Sequence, residues 1–186
     1  MRSKFEAIEG SVLVLSCSLN PNSRSRRLAI AAESRLHEFD VDGSLVDLRD
    51  WDLPMCDGSD CYSHSHVVEM TQKISEASAV LIASPVYNYD LNAAAKNVVE
   101  LTGKAWLEKP VGFLCTAGGH TSYMSPIGLA NSLMFDFRCH VIPRYVYATK
   151  EDFTNTGDVT PEVSDRIYGL VRSTLELTSA LAWIRS

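Results

Sequence analysis

The sequence has no G-x-G-x-x-G turn and no Gly-Lys-Ser/Thr of a P-loop, so the two common glycine-rich pyrophosphate cradles are excluded. It has no apolar run approaching the roughly 18–20 residues of a membrane helix. The stretch Met1 to Gly10 is polar and mixed in charge, without the apolar segment of a signal peptide, and reads as the start of a cytoplasmic protein. Basic side chains are in deficit: 17 Lys and Arg stand against 23 Asp and Glu, a net charge of -6. An acidic surface argues against nucleic acid or an anionic membrane as the main partner, although it leaves room for a local basic pocket. A paired disulfide framework is also missing, because the five cysteines (Cys17, Cys56, Cys61, Cys115 and Cys139) are odd in number and come without a secretion signal.

What the chain does have is an ordinary globular balance, 46% hydrophobic and 22% charged, over 186 residues. That length suits one domain, residues 1–186 with a core over about 11–184. Short apolar runs alternate with helical patterns. Ser11–Cys17, Leu45–Leu48, Ala79–Ala83, Val111–Cys115 and Cys139–Val146 read as strands, with Pro85 stopping the third. Between them lie helical patterns through Leu28 to Phe39, Val67 to Glu76, Ala93 to Leu101 and up to about Phe137. A last long helix starts at Thr160-Pro161-Glu162, Thr as N-cap and Pro at the first helical position, and runs to about Trp183. Strict β-α alternation implies a parallel sheet covered on both faces. Five strands point to a flavodoxin-like three-layer α/β sandwich with strand order 2-1-3-4-5.

In such a sheet, ligands bind beyond the carboxyl ends of the strands. Three loops there have unusual composition. The first, Ser16 to Ser25, carries hydroxyls, Asn20 and Arg24 directly before a helix, a setting that suits a phosphate. Ser18, Ser23 and Ser25 offer hydroxyl donors and Arg24 a charge; an ordinary Ser/Asn helix cap has the same composition. The second, Ser84-Pro-Val-Tyr-Asn-Tyr-Asp90, offers aromatic surface and hydrogen bonds to a planar heterocycle, or a Pro-Tyr packing corner. The third, Thr116-Ala-Gly-Gly-His-Thr-Ser122, lets backbone approach a ligand at Gly118 and Gly119 and places His120 near a substrate, or makes a plain turn with an exposed His.

The run Ser84-Pro-Val-Tyr-Asn-Tyr-Asp-Leu-Asn-Ala-Ala-Ala-Lys-Asn97 resembles the Thr-Pro-Glu-Tyr-Asn-Tyr-Ser motif and following Leu-Lys-Asn helix of the NADPH-dependent FMN reductase family, the flavodoxin-like group that includes azo-, chromate- and quinone-reducing enzymes. Ser18, Leu19 and Ser23 match that family's Gly-Ser-Leu-Arg-x-x-Ser loop, and the resemblance spans about residues 11–180. It implies that Ser18, Ser23 and Ser25, with Asn20 and Arg24, hold the phosphate of FMN. Pro85, Val86, Tyr87 and Asn88 would border the flavin ring, Gly118 and Gly119 would face its pyrimidine side, and Thr116 and His120 of the same loop complete the expected cofactor-binding set. The implied activity is hydride transfer from NADPH or NADH to flavin and then reduction of a small acceptor (flavin, quinone, azo compound or metal ion). No catalytic side chain and no metal is implied. Three positions depart from the family: Cys17 replaces its loop Gly, Asn20 its Arg, and Val86 its Glu. A flavin-binding electron carrier or sensor would use the same loops and is the alternative reading.

The resemblance further implies a homodimer or homotetramer. The small-residue helix after Asp90 and the irregular Trp51–Ser65 segment are the pieces expected to cover a neighbour's flavin. Within eleven residues in and just after that segment, Cys56, Cys61, His64 and His66 have zinc-ligand chemistry but no common finger spacing, and read as a solvated loop. Trp51 and Trp106 read as packing residues and Lys96 as a solvated or salt-bridged side chain.

Overall fold

The computed structural model describes residues 5, 8 and 10–185. Its elements alternate as the apolar pattern requires: β1 (Val12–Ser16), α1 (Arg24–Glu38), β2 (Gly43–Asp47), α2 (Ser65–Glu76), β3 (Ala79–Tyr87), β4 (Asp90–Leu91), α3 (Ala93–Thr102), β5 (Pro110–Thr116), α4 (Ile127–Phe137), β6 (His140–Val141), β7 (Val146–Ala148) and α5 (Pro161–Arg185). The strand order is β2-β1-β3-β5-β6, with β7 also on β5 and β4 on β3. All pairings are parallel except β3 with β4.

The sheet is apolar on both faces because helices cover both. Leu13, Leu15, Val80, Ile82, Val111 and Phe113 point to one cluster, closed by Met70 and Ile74 of α2, Val98 and Val99 of α3, and Leu129 and Leu133 of α4. The alternate positions Val12, Val14, Ala79, Leu81 and Leu114 meet Leu28 and Leu36 of α1 and Ile167, Leu170 and Val171 of α5. These two clusters make the flavodoxin-like three-layer sandwich. Among the described residues no helix is long and apolar enough to cross a membrane.

Two sequence expectations are corrected. Pro85 does not stop β3, which continues to Tyr87. β1 has ended by that level, so the absent N–H leaves no ladder bond unmade, while the Pro85 carbonyl accepts from the Asn92 amide at 3.1 Å. The fifth strand is not continuous. Val141 pairs with Val111 and Val146 with Leu114, so five residue steps run beside three on β5. The two extra residues loop out at Pro143 and Arg144, the latter with φ 61°. β6 and β7 therefore share one sheet position, and five positions hold seven strands.

Trp106 is fully buried, with its indole N–H donating to Thr102 Oγ1 at 2.7 Å. Trp51 packs edge-on against His66, 5.7 Å between centroids. Lys96 pairs with Glu100 one turn along α3 at 2.8 Å. The irregular segment is held by buried Asn97 of α3, which accepts from the Cys56 amide at 2.8 Å and donates to the Pro54 carbonyl at 2.9 Å. His66 Nδ1 accepts from the Asp52 amide, and among the described residues no three His, Cys, Asp or Glu side chains converge as metal ligands would.

Candidate functional site

The sheet brings the first, second and third loops to the carboxyl ends of β1, β3 and β5, which are adjacent strands. Between them lies a cleft of about 250 Å³ lined by Ser18, Asn20, Asn22, Ser23, Arg24, Pro85, Val86, Tyr87, Thr116, Ala117 and Gly118.

The first loop is built around the start of α1. Ser23 is its N-cap, with Oγ accepting from the Arg26 amide at 3.1 Å and lying 2.9 Å from Ser25 Oγ. Ser18 Oγ accepts from the Asn20 amide at 3.3 Å, and Asn20 Oδ1 from the Asn22 amide at 2.9 Å. These bonds make the loop an ordinary cap in form and also fix its curvature. The amides of Arg24 and Ser25 have no intrahelical acceptor, as first-turn amides never do, and no other acceptor among the described residues. The Arg24 guanidinium likewise has no hydrogen bond or ion pair to a described residue. Beneath the loop, at the end of β1, Ser16 Oγ is buried without a partner among the described residues. A helix N-terminus with spare amides, hydroxyls and an unpaired guanidinium is the donor set that a phosphate satisfies.

Cys17, which stands at a family glycine, turns its thiol into the apolar cluster below the sheet rather than into the cleft. Burial pushes the Cys17 and Cys115 thiols far above their ordinary range, so neither is a nucleophile at neutral pH.

Two devices hold the loops in register. Asn92, the N-cap of α3, is buried; its Nδ2 donates to the Cys17 carbonyl at 2.7 Å and its Oδ1 accepts from Ser84 Oγ at 2.8 Å. It thus ties the first loop to the second. Asp47, at the end of β2, accepts from Arg26 Nε at 2.6 Å and from Arg49 Nη2 at 2.6 Å, while Arg49 Nη1 reaches the Pro21 carbonyl at 3.4 Å. Burial raises the Asp47 carboxyl, but the hydrogen bonds from Arg49 and Arg26 outweigh it and hold the group below its ordinary value. A depressed native pKa stabilises the fold above the unfolded value, about 3.9 for Asp, and that contribution is lost as pH falls through the native value. The difference in urea midpoint between the parent chain and Asp47→Asn is therefore expected to be full at pH 7 and to shrink below about pH 4. A difference constant from pH 7 to pH 3 would contradict this role.

Nine of the sequence-selected residues meet at the cleft, namely Ser18, Asn20, Ser23, Arg24, Pro85, Val86, Tyr87, Thr116 and Gly118. Ser25 is fully buried behind Ser23 and acts on it. Asn88 and Tyr89, at φ 51° and 65°, form the two-residue turn between β3 and β4 and lie off the cleft wall. Gly119 is extended, its carbonyl accepting from Tyr147 OH at 2.5 Å, and His120 opens an exposed 3-10 turn. A Cβ on Gly118 would meet nothing within 4 Å, and its amide has no acceptor among the described residues. Asn22, Ala117 and the clamp residues Asn92 and Asp47 were not singled out from sequence. For Asn92 the signal was present, an Asn directly before an Ala-rich helix; for the others there was none.

The cleft lies where flavodoxin-like sheets bind ligands, and the comparisons with known proteins agree. Residues 11–154 match the family described as NADPH-dependent FMN reductase. The chain is 31% identical over 137 residues to an NAD(P)H-dependent FAD/FMN reductase of Geobacillus thermodenitrificans, covering 70% of this chain and 72% of that protein. It is 32% identical over 129 residues to an NAD(P)H-dependent FMN reductase of Schizosaccharomyces pombe, covering 63% and 62%. The fold superposes on FerB, a flavoenzyme NAD(P)H:(acceptor) oxidoreductase of Paracoccus denitrificans, with TM-score 0.76 at 20% identity over 92% of this chain and 98% of that one. The chain belongs to the NADPH-dependent FMN reductase family, and its chemistry is oxidoreduction with FMN as cofactor and NAD(P)H as electron donor.

Proposed function

We propose that the cleft holds FMN with its phosphate on the first turn of α1 and its ring between the second and third loops, and that a small acceptor is reduced there. One observation carries the reading: spare amides, two hydroxyls and an unpaired Arg24 share a cleft with the Pro85–Tyr87 strand end and the Gly118 amide. When bound, FMN supplies the two-electron step from NAD(P)H to an acceptor such as a flavin, quinone, azo compound or metal ion. The protein supplies position and electrostatics. Ser18, Ser23, Asn20 and Arg24 fix the phosphate. Pro85, Val86 and Tyr87 border the ring, Val86 being half of the β3–β4 pairing and therefore rigid. The Gly118 amide, which has no acceptor among the described residues, favours negative charge developing at the ring edge beside it. No side-chain acid or base is needed, and the raised cysteine thiols offer none.

The test is a visible spectrum of the purified chain with added FMN, followed by anaerobic NADPH. Binding of FMN and loss of its visible band are expected. Binding without bleaching by NADPH or NADH would favour an electron carrier, and no binding would remove the cleft assignment.

We also propose that the working form is a homodimer or larger. The cleft, at about 250 Å³, is smaller than the 300–1,000 Å³ usual for small-molecule sites and encloses only part of a molecule as large as FMN. Of the small residues that open α3, Ala95 is buried in the chain's own core, Ala94 is half-buried and Ala93 is exposed. One apolar surface left open lies on α4 and the turn before it, where Tyr123, Met124, Ile127 and Phe135 are exposed, the last at 83%. A covered face of this kind is what a second copy provides. Light scattering at micromolar concentration is expected to give at least twice the chain mass of 20.5 kDa, and a monomer mass would refute the assembly.

A further inference from the structure

Gly118 and Gly119 follow β5 as consecutive glycines, and a Cβ on either would meet nothing within 4 Å, so neither sterics nor packing fixes their peptide planes. Two hydrogen bonds do. Before the glycines, the Ala117 amide donates to the Ala148 carbonyl at 2.9 Å. After them, the Tyr147 hydroxyl donates to the Gly119 carbonyl at 2.5 Å. Both anchors come from neighbouring residues of β7, which runs parallel to β5. The Gly118 amide lies between them at the cleft wall, with no acceptor among the described residues.

Tyr147 is built to hold its end. In Tyr145-Val146-Tyr147 the side chains alternate across the sheet, so Val146 enters the cluster under α1 and α5 while both tyrosines pack with the other. Tyr147 is buried, and its ring meets that of Tyr123 edge-on, 5.5 Å between centroids. Burial raises its phenol above the ordinary value, so the hydroxyl keeps its proton and stays a donor at neutral pH. Tyr147 does not line the cleft, so it acts on whatever binds there only through the loop. Tyr145 is an internal comparison. It is half-buried, its ring stacks on Tyr123 at 4.8 Å, and its hydroxyl donates to the Tyr123 carbonyl, past the glycines.

We propose that Tyr147 is a positioning residue of the reductase: by holding the Gly119 carbonyl it keeps the Gly118 amide in one orientation at the cleft wall, and so makes bound FMN easier to reduce. The proposal rests on the reading that the cleft holds FMN with its ring beside Gly118. A hydride from NAD(P)H brings two electrons and one proton, so one negative charge is left to be accommodated at that wall. A donor held in place before the charge arrives stabilises it without reorganisation, whereas a glycine amide free to turn loses part of that gain. The effect falls on the reduced form of the cofactor and spares the oxidised one, which carries no such charge on its ring.

The experiment compares the FMN-loaded parent with Tyr147→Phe and Tyr145→Phe. Flavin fluorescence gives the affinity for oxidised FMN. A spectroscopic redox titration gives the two-electron potential, which reports the ratio of the affinities for reduced and oxidised FMN. Tyr147→Phe is expected to bind oxidised FMN within about threefold of the parent while that ratio falls roughly tenfold, a potential about 30 mV more negative. Tyr145→Phe is expected to leave both unchanged. In the full chain without flavin, amide relaxation by NMR is expected to show the order parameter of Gly118 falling from about 0.85 to below about 0.6 in Tyr147→Phe alone. An unchanged potential in Tyr147→Phe, an equal shift in Tyr145→Phe, equal weakening of both oxidation states, or an equally rigid Gly118 amide would overturn the proposal. So would a Tyr147→Phe chain whose urea midpoint falls so far that it no longer holds FMN, because the hydroxyl would then serve the fold. A parent that binds no FMN is a different result, seen before any variant is compared; it removes the cleft assignment and this proposal with it.

Discussion

Ser23→Asp is expected to weaken FMN binding by about 100-fold or more in a chain that stays folded. Asp is as good an N-cap as Ser, so the bond received from the Arg26 amide at 3.1 Å is kept and helix α1 is capped as before. A carboxylate near a helix N-terminus is, if anything, favourable to the apo chain. The same carboxylate occupies the place where the cleft offers its donors to a phosphate, and two like charges about 4 Å apart repel by roughly 4 kcal/mol at an effective dielectric constant of 20. Even partly relieved by Arg24, that corresponds to FMN affinity lower by about 100-fold or more. Titration of flavin fluorescence measures the affinity, and urea unfolding of the apo chain checks that stability is within about 0.5 kcal/mol of the parent. Undiminished affinity would place the phosphate elsewhere. Loss of stability and affinity together would mean that Ser23 serves only the helix.

Asn92→Ala is expected to cost about 2–4 kcal/mol of stability and to weaken FMN binding as well. The substitution removes the cap of α3, worth about 1 kcal/mol. It also strands the Cys17 carbonyl and Ser84 Oγ in a buried place, each unsatisfied group costing about 1–3 kcal/mol. The Cys17 carbonyl is the last fixed point before the phosphate loop, so its release loosens the cradle as well as the core. Asn92→Asp separates the two effects. It keeps the cap and the acceptor for Ser84 but loses the donor to Cys17, and should weaken FMN more than its modest effect on helix α3 predicts. A urea midpoint shifted at constant slope measures the first effect, and flavin titration the second. A change below about 0.5 kcal/mol for Asn92→Ala would show that solvent replaces the buried bonds.

Neither clamp was legible in the way the cradle was. Ser18, Ser23 and Arg24 stand within seven residues of one another, directly before an amphipathic helix, and local spacing alone places hydroxyls and a guanidinium at its N-terminus. Asn92 is 75 residues from Cys17 in sequence, and its donor reaches that carbonyl only because β1 and β3 are neighbours. Asp47 is 21 residues from Arg26 and meets it because β2 flanks β1. Pro85 shows the reverse error. Proline ends a strand where its N–H would have had a ladder partner, and whether such a partner exists is set by where β1 stops.

The sequence by itself determined the alternation of buried strands and helices, the two-faced core and the three loops at one sheet edge. Those follow from periodicity and from residues close together in the chain, where burial and backbone capping act locally. The tertiary structure decided which residues of those loops share one cleft and split the last strand at Pro143–Arg144. It also turned Cys17 away from the ligand and brought the Tyr147 hydroxyl to the Gly119 carbonyl. These outcomes depend on register between strands far apart in sequence and on side-chain direction. Register is fixed only when the whole apolar pattern packs at once.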